Sequence, residues 1–168
     1  MEEPIFPQPI KYQADCFPLL GAYFFNEIIK QIDNAKIGIY SVQYQWKWNI
    51  YERHSKVQQL GDAIIRAKKR NVEIKVILNQ ESPNRNLSKI NGITCNQLAC
   101  AGVQVKMLRT PSLLHTKLWI FDSEYSVIGS HNISGRSLSI NEEASVLIQD
   151  KHFAIFMQTY FNNLWEIR

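Results

Sequence analysis

The stretch formed by residues 113–146 constrains the fold more than any other part of the chain, because short apolar runs carry polar residues at fixed spacings. Its first part, residues 113–121, alternates apolar and polar positions like a β-strand and includes His115 and Lys117, two residues apart. Side chains of a strand repeat every two residues. The imidazole and the ammonium are therefore predicted to lie on one face.

Two more strands are predicted within the same stretch. A turn at 122–124 leads into an apolar strand at 125–128, and Ser130 and Asn132 follow it, again two residues apart. A third strand, at 143–148, opens with an acid. The adjacent strand ends therefore offer a nucleophile or base, a fixed cation, two neutral polar groups and a carboxylate.

These residues resemble a known motif. The spacing His-x-Lys-x4-Asp-x6-Gly-Ser-x-Asn, from His115 to Asn132, is similar to the HKD motif of the phospholipase D superfamily. One copy per chain is typical of its single-motif bacterial nucleases and of the mitochondrial cardiolipin hydrolase/piRNA-type nucleases. The likeness extends over most of the chain, from about residue 19 to residue 165.

The chemistry of phosphodiester cleavage predicts a dimer. The reaction needs a nucleophile for phosphorus and an acid for the leaving oxygen, and one motif supplies one histidine. Two copies of the chain are therefore predicted to pair, with the two His115 side chains facing each other across a two-fold axis. The resemblance implies the same homodimer for single-motif members.

The resemblance also implies a role for each residue, without a metal or another cofactor. His115 of one protomer forms a phosphohistidine, and the same residue of its partner acts as general acid and then as base. Lys117 and Asn132 hold the phosphate oxygens, and Ser130 supports them. Glu143 is expected to accept a proton from the far nitrogen of His115, with the neighbouring Glu142 as the alternative.

Two other polar residues of the motif are predicted to be structural. Asp122 falls in the turn and is assigned turn-forming and hydrogen-bonding duty. His131 lies between Ser130 and Asn132, so it should point the opposite way and be packed or exposed rather than catalytic.

The rest of the chain predicts an α/β fold. Helical periodicity appears in four segments, and alternation typical of strands appears in three segments outside the motif. The predicted helices are 19–34, 57–70, 90–101 and 151–165, and the strands are 36–43, 72–78 and 103–108. We expect one mixed β-sheet flanked by helices on both faces, the α/β/α sandwich that the resemblance implies. Residues 1–18, with four of the six prolines, are predicted to be an extended lead-in, and 19–168 the catalytic domain.

Candidate substrate contacts lie outside the motif. Residues 44–56 interleave four aromatic residues with basic ones, a combination that suits base stacking and phosphate pairing, a dimer contact, or plain packing. The predicted substrate-binding residues are Lys47 and Arg53 from this segment and Arg85 from the polar loop at 79–88. His54-Ser55-Lys56 repeats the His-x-Lys pattern but has no following Asp or Gly-Ser-x-Asn, and it enters a helical pattern. We interpret it as unrelated to catalysis.

The positive charge favours an anionic partner without choosing between nucleic acid and an anionic membrane. The net charge is +4 and the pI is about 9.0. The three cysteines lack a CxxC pair and are interpreted as buried free thiols. The acidic start and the absence of a long apolar run predict a cytoplasmic protein without a stable membrane anchor. The leading hypothesis is a metal-independent nuclease acting on DNA or RNA. A phospholipase D-type hydrolase of phospholipids and a binding module that has lost catalysis are the alternatives.

Overall fold

Seven strands form one mixed sheet in the computed structural model of the chain, which describes residues 11–49, 51–81 and 85–167. The strands are β1 (Asp15–Leu20), β2 (Gly38–Gln43), β3 (Glu73–Asn79), β4 (Gln104–Leu108), β5 (Lys117–Phe121), β6 (Tyr125–Gly129) and β7 (Ala144–Gln149). Their order across the sheet is β1-β7-β6-β5-β2-β3-β4. β2, β3 and β4 run parallel, and every other neighbouring pair is antiparallel. The predicted mixed sheet is confirmed.

Within the part of the chain that the structure describes, four helices cover the two faces of this sheet, as predicted. They are α1 (Tyr23–Asn34), α2 (Lys56–Lys69), α3 (Arg85–Cys100) and α4 (Lys151–Glu166). Buried side chains of α1, α2 and α3, among them Ile28, Ile64 and Leu98, join one core cluster. Ala154 and Phe161 of α4 join a second cluster on the opposite face. The two clusters follow from alternation, since successive residues of a strand point to opposite faces.

The N-terminal part of the chain differs from the expectation. Residues 15–20 form β1, which pairs antiparallel with β7 at the edge of the sheet. The prediction of little regular structure before residue 19 is therefore wrong for residues 15–18, although the segment is extended. Gly21, at φ +49°, turns the chain between β1 and α1, so the helix predicted from residue 19 begins at Tyr23. The division into a lead-in and a catalytic domain stays a prediction.

Helix α3 begins earlier than its sequence suggests. The loop predicted at 79–88 ends by Arg85, because Leu87 is already buried and Asn91 anchors the helix. The Asn91 side chain accepts from the Trp46 amide and donates to the carbonyl oxygens of Tyr44 and Asn79. These bonds fix α3 against the ends of β2 and β3.

The turn between β5 and β6 confirms the structural role predicted for Asp122. Its carboxylate accepts hydrogen bonds from the backbone amides of Lys36, Ile37 and Gly38, at 2.8–2.9 Å for the shortest contact with each. Its φ of +53° lies in the left-handed region, which Asp tolerates in turns. Asp122 therefore ties this turn to the start of β2, at the far end of β5 from Lys117.

The cysteines and helices carry two further findings. All three thiols are free, as predicted, but Cys16 and Cys100 are exposed and Cys95 is half-buried, so the interpretation as buried thiols is wrong for the first two.

Among the described residues, no helix combines the length and the apolar character that crossing a bilayer requires.

Candidate active site

The candidate catalytic residues lie at one end of the central strands of the sheet, whereas the motif residue Asp122 lies at the other end. β5 begins at Lys117, which pairs with Gln43 at the end of β2, and β6 ends at Gly129, which pairs with Ser145 near the start of β7. Antiparallel neighbours bring these ends together. A Cβ on Gly129 would collide with the Ser145 side chain and the Ala144 carbonyl, so the motif glycine allows β6 and β7 to approach here.

His115 and Lys117 are in direct contact. Lys117 Nζ lies 3.0 Å from His115 Nδ1, 3.1 Å from Nε2 and 2.8 Å from the His115 carbonyl oxygen. Lys117 is 7% exposed, whereas His115 is an exposed residue. The predicted proximity is confirmed, but the strand predicted at 113–121 starts only at Lys117, so His115 stands on irregular backbone before it.

Tyr44 is a third member of this contact, which sequence reasoning did not place at the site. Its ring centroid lies 4.4 Å from that of His115, and Lys117 Nζ lies 4.9 Å from the Tyr44 ring centroid. The Tyr44 hydroxyl donates to Glu81 Oε1 at 3.0 Å. A signal was present, since Tyr44 directly follows β2, the neighbour of the strand that carries Lys117.

The electrostatics of this pair favour an uncharged imidazole. Partial burial of the ring and then the Lys117 charge lower the pKa of His115, while the Glu81 carboxylate opposes them. Burial also lowers the pKa of Lys117, against the opposing effect of the Glu143 carboxylate. Because a neutral imidazole keeps a nitrogen lone pair, His115 in this environment suits nucleophilic attack.

Glu143 is held by three neutral donors. Ser130 Oγ donates to Oε2 at 2.5 Å, while Ser137 Oγ and Asn141 Nδ2 donate to Oε1 at 2.9 and 3.2 Å. Burial raises the pKa of the carboxyl group, but the three hydrogen bonds outweigh it and hold the pKa below its ordinary value. Glu143 therefore stays ionised and binds Ser130, a contact that the sequence analysis did not predict.

Among the described residues of the single chain, Glu143 and His115 form no hydrogen bond with each other, and the predicted contact stays a prediction. The carboxylate binds Ser130, Ser137 and Asn141 instead, and the His115 ring contacts Lys117 and Tyr44. The loop after Asn132 supplies Ser137, which its sequence did not single out. Glu142 is exposed, so Glu143 is the acid of the two that faces the site.

Asn132 keeps its amide uncommitted to the fold. Its Oδ1 is buried and has no hydrogen-bond partner among the described residues. Buried polar atoms without a partner are rare in folded proteins. A phosphate oxygen accepts hydrogen bonds, so the predicted role in holding phosphate oxygens belongs to the Nδ2 group of Asn132 and stays a prediction.

His131 is packed, as predicted. It is 1% exposed and stacks on Phe24, with ring centroids 4.0 Å apart and an interplanar angle of 5°. Its Nδ1 lies 2.7 Å from Ser145 Oγ and its Nε2 lies 2.9 Å from the Gly21 carbonyl oxygen. Both ring nitrogens are therefore occupied by the fold, on the side away from Ser130.

The aromatic and basic segment at 44–56 divides into core and surface. Trp46 and Trp48 are 0% and 4% exposed, so plain packing is the correct interpretation for both tryptophans. Lys47 is exposed, and its amide donates to the carbonyl of Ile133 at 2.7 Å, directly beside Asn132. Arg53 is exposed in the turn before α2. The side chain of Arg85 lies outside the described residues, so its predicted contact stays a prediction.

A mixed seven-stranded sheet between two helical layers, with an HKD set at the ends of its central strands, defines a phospholipase D-like domain. The chain belongs to the family described as cardiolipin synthase, PLD-like domain, whose model matches residues 28–165. That range covers the described site from Tyr44 to Glu143.

Individual relatives agree with this assignment. The chain is 38% identical over 104 residues to cardiolipin synthase B of Escherichia coli K12, covering 61% of this chain and 24% of the relative. It is 26% identical over 151 residues to a phospholipase D of Rickettsia conorii, covering 89% of this chain and 68% of the relative. The chain thus spans about a quarter of the length of the cardiolipin synthase it matches.

A solved structure shares the fold. Nuc from Salmonella typhimurium, a phospholipase D family member, superposes with a TM-score of 0.73 at 20% sequence identity. The superposition covers 90% of this chain and 95% of Nuc. Nearly the whole chain of that structure thus shares the fold of this one.

Proposed function

We propose that the chain is a metal-independent phosphodiesterase that cleaves DNA or RNA through a phosphohistidine, in an active site completed by a second copy. The contact between His115 and Lys117 carries this proposal. It places a neutral nucleophile 3.0 Å from a cation able to bind a phosphate oxygen. The matching family model and the motif spacing support the same chemistry.

The first step forms a bond between nitrogen and phosphorus. A ring nitrogen of His115 attacks the diester phosphorus, and the bond from phosphorus to the leaving oxygen breaks. The protonated His115 of the partner gives its proton to that oxygen, which departs as an alcohol. Lys117 and Asn132 stabilise the charge on the non-bridging oxygens, with Ser130 in support.

The second step restores the enzyme. The partner histidine, now neutral, takes a proton from a water molecule while the water oxygen attacks the phosphohistidine phosphorus. The bond between nitrogen and phosphorus breaks, and the product leaves as a phosphomonoester. His115 is then neutral and its partner is protonated, which is the starting state of the next cycle.

Exposed apolar residues beside the site support the dimer. Leu113, 55% exposed, accepts the His115 amide hydrogen bond on its carbonyl at 2.9 Å. Ile140, 69% exposed, directly precedes Asn141, which binds Glu143. Apolar side chains next to reacting groups suit a contact that excludes water from the joint site.

The choice of nucleic acid over lipid rests on charge. The net charge of +4 and the exposed Lys47 beside Asn132 suit a long polyanion. Phospholipid hydrolysis is the second candidate, and its support is the identity with a cardiolipin synthase and a phospholipase D. Both substrates present a phosphodiester to the same residues.

One assay tests the function. The protein is incubated in excess EDTA with plasmid, single-stranded DNA, RNA or anionic phospholipid vesicles, and the products are separated. Nucleic-acid cleavage supports the proposal, headgroup or phosphatidic acid release selects the lipid candidate, and tight binding without turnover selects a module that has lost catalysis. Activity that disappears in EDTA and returns with a metal overturns the metal-independent mechanism.

A second experiment tests the joint site. We expect Leu113→Glu to shift the mass measured by light scattering from dimer to monomer and to abolish turnover. The matched control is Ile155→Glu on α4, where Ile155 is 45% exposed and lies outside the motif. A monomeric wild-type chain with full activity would contradict the two-copy site.

A further inference from the structure

Tyr44 links three charged or titratable groups at the site. Its ring packs against the His115 imidazole, with centroids 4.4 Å apart, and Lys117 Nζ lies 4.9 Å from the same ring. Its hydroxyl donates to the Glu81 carboxylate at 3.0 Å. Neither Tyr44 nor Glu81 belongs to the His-Lys-Ser-Asn-Glu set defined above.

Both residues are held by the fold. Tyr44 follows β2, and its amide donates to the Thr116 carbonyl at 2.9 Å while its carbonyl accepts from Asn91 Nδ2 at 2.9 Å. Glu81 lies two residues after β3, and its carbonyl accepts a hydrogen bond from Ser88 at the start of α3. Each side chain is half-buried, so rigid elements place both of them beside the exposed His115.

We propose that Tyr44 and Glu81 form a positioning pair, in which the Tyr44 ring fixes the His115 imidazole and the Lys117 ammonium against each other and Glu81 anchors the Tyr44 hydroxyl. This inference deepens the proposed function and rests on it, since His115 and Lys117 are the reacting groups there. The pair acts through other residues and needs no contact with substrate.

The Tyr44 ring restricts the orientation of the His115 imidazole. His115 precedes β5, so no ladder hydrogen bond of the strand limits its motion. A ring packed on one side of the imidazole restricts its orientation, and a cation over an aromatic face is attracted by the ring quadrupole. Reacting groups held near the attack geometry remove much of the entropic cost of the reaction.

Glu81 has a second effect, which is electrostatic. Within the described chain, the charged groups that act on His115 are Lys117 from β5 and Glu81 from the β3–α3 connection, and Glu143 from the loop before β7 acts on Lys117. Lys117 lowers the pKa of His115, and Glu81 raises it. The proposed cycle needs one neutral and one protonated His115. By opposing Lys117, Glu81 favours the protonated form of His115.

Tyr44 remains the donor in its bond to Glu81. Burial, the hydrogen bond to Glu81 and the charge of Glu81 all raise the pKa of the Tyr44 hydroxyl. The phenol therefore stays protonated through the range in which histidine titrates. The anchor between Tyr44 and Glu81 is thus intact whenever His115 changes charge.

The test uses Glu81→Gln with two readouts on the full chain. NMR titration follows the His115 ring, assigned by its loss in His115→Asn, and the pH profile of kcat/KM is measured with bis(4-nitrophenyl) phosphate. Glu81→Gln keeps an acceptor but removes the charge, so we expect a lower apparent pKa of His115 and both limbs of the profile at lower pH. Glu124→Gln, the same charge change at the β5–β6 turn, is the control and should shift neither.

Tyr44 variants separate the ring from the hydroxyl. We expect Tyr44→Leu to lower kcat by about 10²-fold, because a small misplacement of reacting groups has effects of that size. Tyr44→Phe keeps the ring and should restore most of that loss. An unchanged His115 titration in Glu81→Gln, or wild-type kcat in Tyr44→Leu, overturns the pair. If the wild-type chain hydrolyses no diester, the proposed function fails, and the titration still decides whether Glu81 sets the charge of His115.

Discussion

The chain contains the pattern His-x-Lys twice, and only one copy forms a site. In His54-Ser55-Lys56 the backbone enters α2, Ser55 accepts the Gln58 amide at 3.1 Å as its N-cap, and Lys56 Nζ donates to the Leu138 carbonyl at 2.7 Å. In His115-Thr116-Lys117 the ammonium lies 3.0 Å from the imidazole. The pattern therefore forms a candidate site only where the backbone brings the imidazole and the ammonium into contact.

Surroundings widen the difference between the two copies. Lys56 is committed to the fold by its hydrogen bond and by the Phe25 ring, whose centroid lies 5.2 Å from Nζ. Lys117 is buried beside His115. The Tyr44 ring packs against the His115 imidazole, and the Glu81 carboxylate raises the pKa of His115. A strand end supplies such neighbours because several strands finish at the same edge of a sheet.

The histidines provide the strongest test of this comparison. We expect His115→Ala to lower phosphodiester cleavage by about 10³-fold or more, because the proposed dimer would lose its nucleophile and its proton donor together. His54→Ala should leave the rate unchanged, since His54 is exposed and its described contact is made through the carbonyl. Both variants are compared with wild type by cleavage rate and by circular dichroism. Equal losses of cleavage rate in the two variants would contradict the assignment of only one copy to catalysis.

The lysines give the next largest effect. Lys117→Ala should reduce kcat by about 10²- to 10³-fold, the usual consequence of losing one fixed group that stabilises transition-state charge. Lys56→Ala should instead lower the free energy of unfolding by about 1 kcal/mol, through the lost hydrogen bond and cation–π contact. Rates and denaturant midpoints measured on both variants separate the two outcomes. A Lys56 variant with the larger catalytic defect would reverse the assignment.

A third histidine, His131, is buried in the fold, and we expect it to affect the pH dependence of stability rather than the cleavage rate. Burial lowers the pKa of His131 below its unfolded value, so the unfolded chain binds the proton more readily. The contribution of neutral His131 to the free energy of unfolding is then fully present above the unfolded pKa, near 6.5. It decreases as the pH falls below that value, by at most about 1.4 kcal/mol per pH unit for one proton. Urea melts between pH 7.5 and 5 measure this slope.

The control for that slope is a pair of variants. His131→Gln removes the buried titration and should reduce the pH dependence in this window, to which His115 also contributes because its pKa is lowered too, although the variant lowers stability overall by removing the stack on Phe24. His152→Gln, at the exposed start of α4, should keep the wild-type slope. An unchanged slope in His131→Gln would mean that other groups cause the loss of stability in acid.

Much of the fold was predictable because its elements are strongly periodic. Strand β2 and helices α2 and α4 lie within a few residues of their predicted bounds, and α2 buries Leu60, Ile64 and Ala67 at the expected helical spacing. The misses have local causes. β1 contains Pro18 and has exposed side chains at five of its six positions, so it carries no alternation and depends on pairing with β7.

The site was predictable as a list of residues and less so as a set of contacts. Spacing brought His115 and Lys117 together and assigned Asp122 and His131 to the fold correctly. It did not foresee that Ser130, Ser137 and Asn141 bind the Glu143 carboxylate in the single chain, and the bond between Glu143 and His115 stays a prediction. Those partners come from a loop, whose course no periodicity describes.

The sequence by itself determined the family, the mixed sheet and the strand ends that carry the motif, because all three follow from local periodicity and fixed spacing. Only the tertiary structure decided that Tyr44 and Glu81 stand beside His115. They reach it from the ends of two other strands, β2 and β3, far away along the chain. Contacts between distant segments depend on strand order and on how the helices cover the sheet, and neither is encoded in the residues next to the histidine.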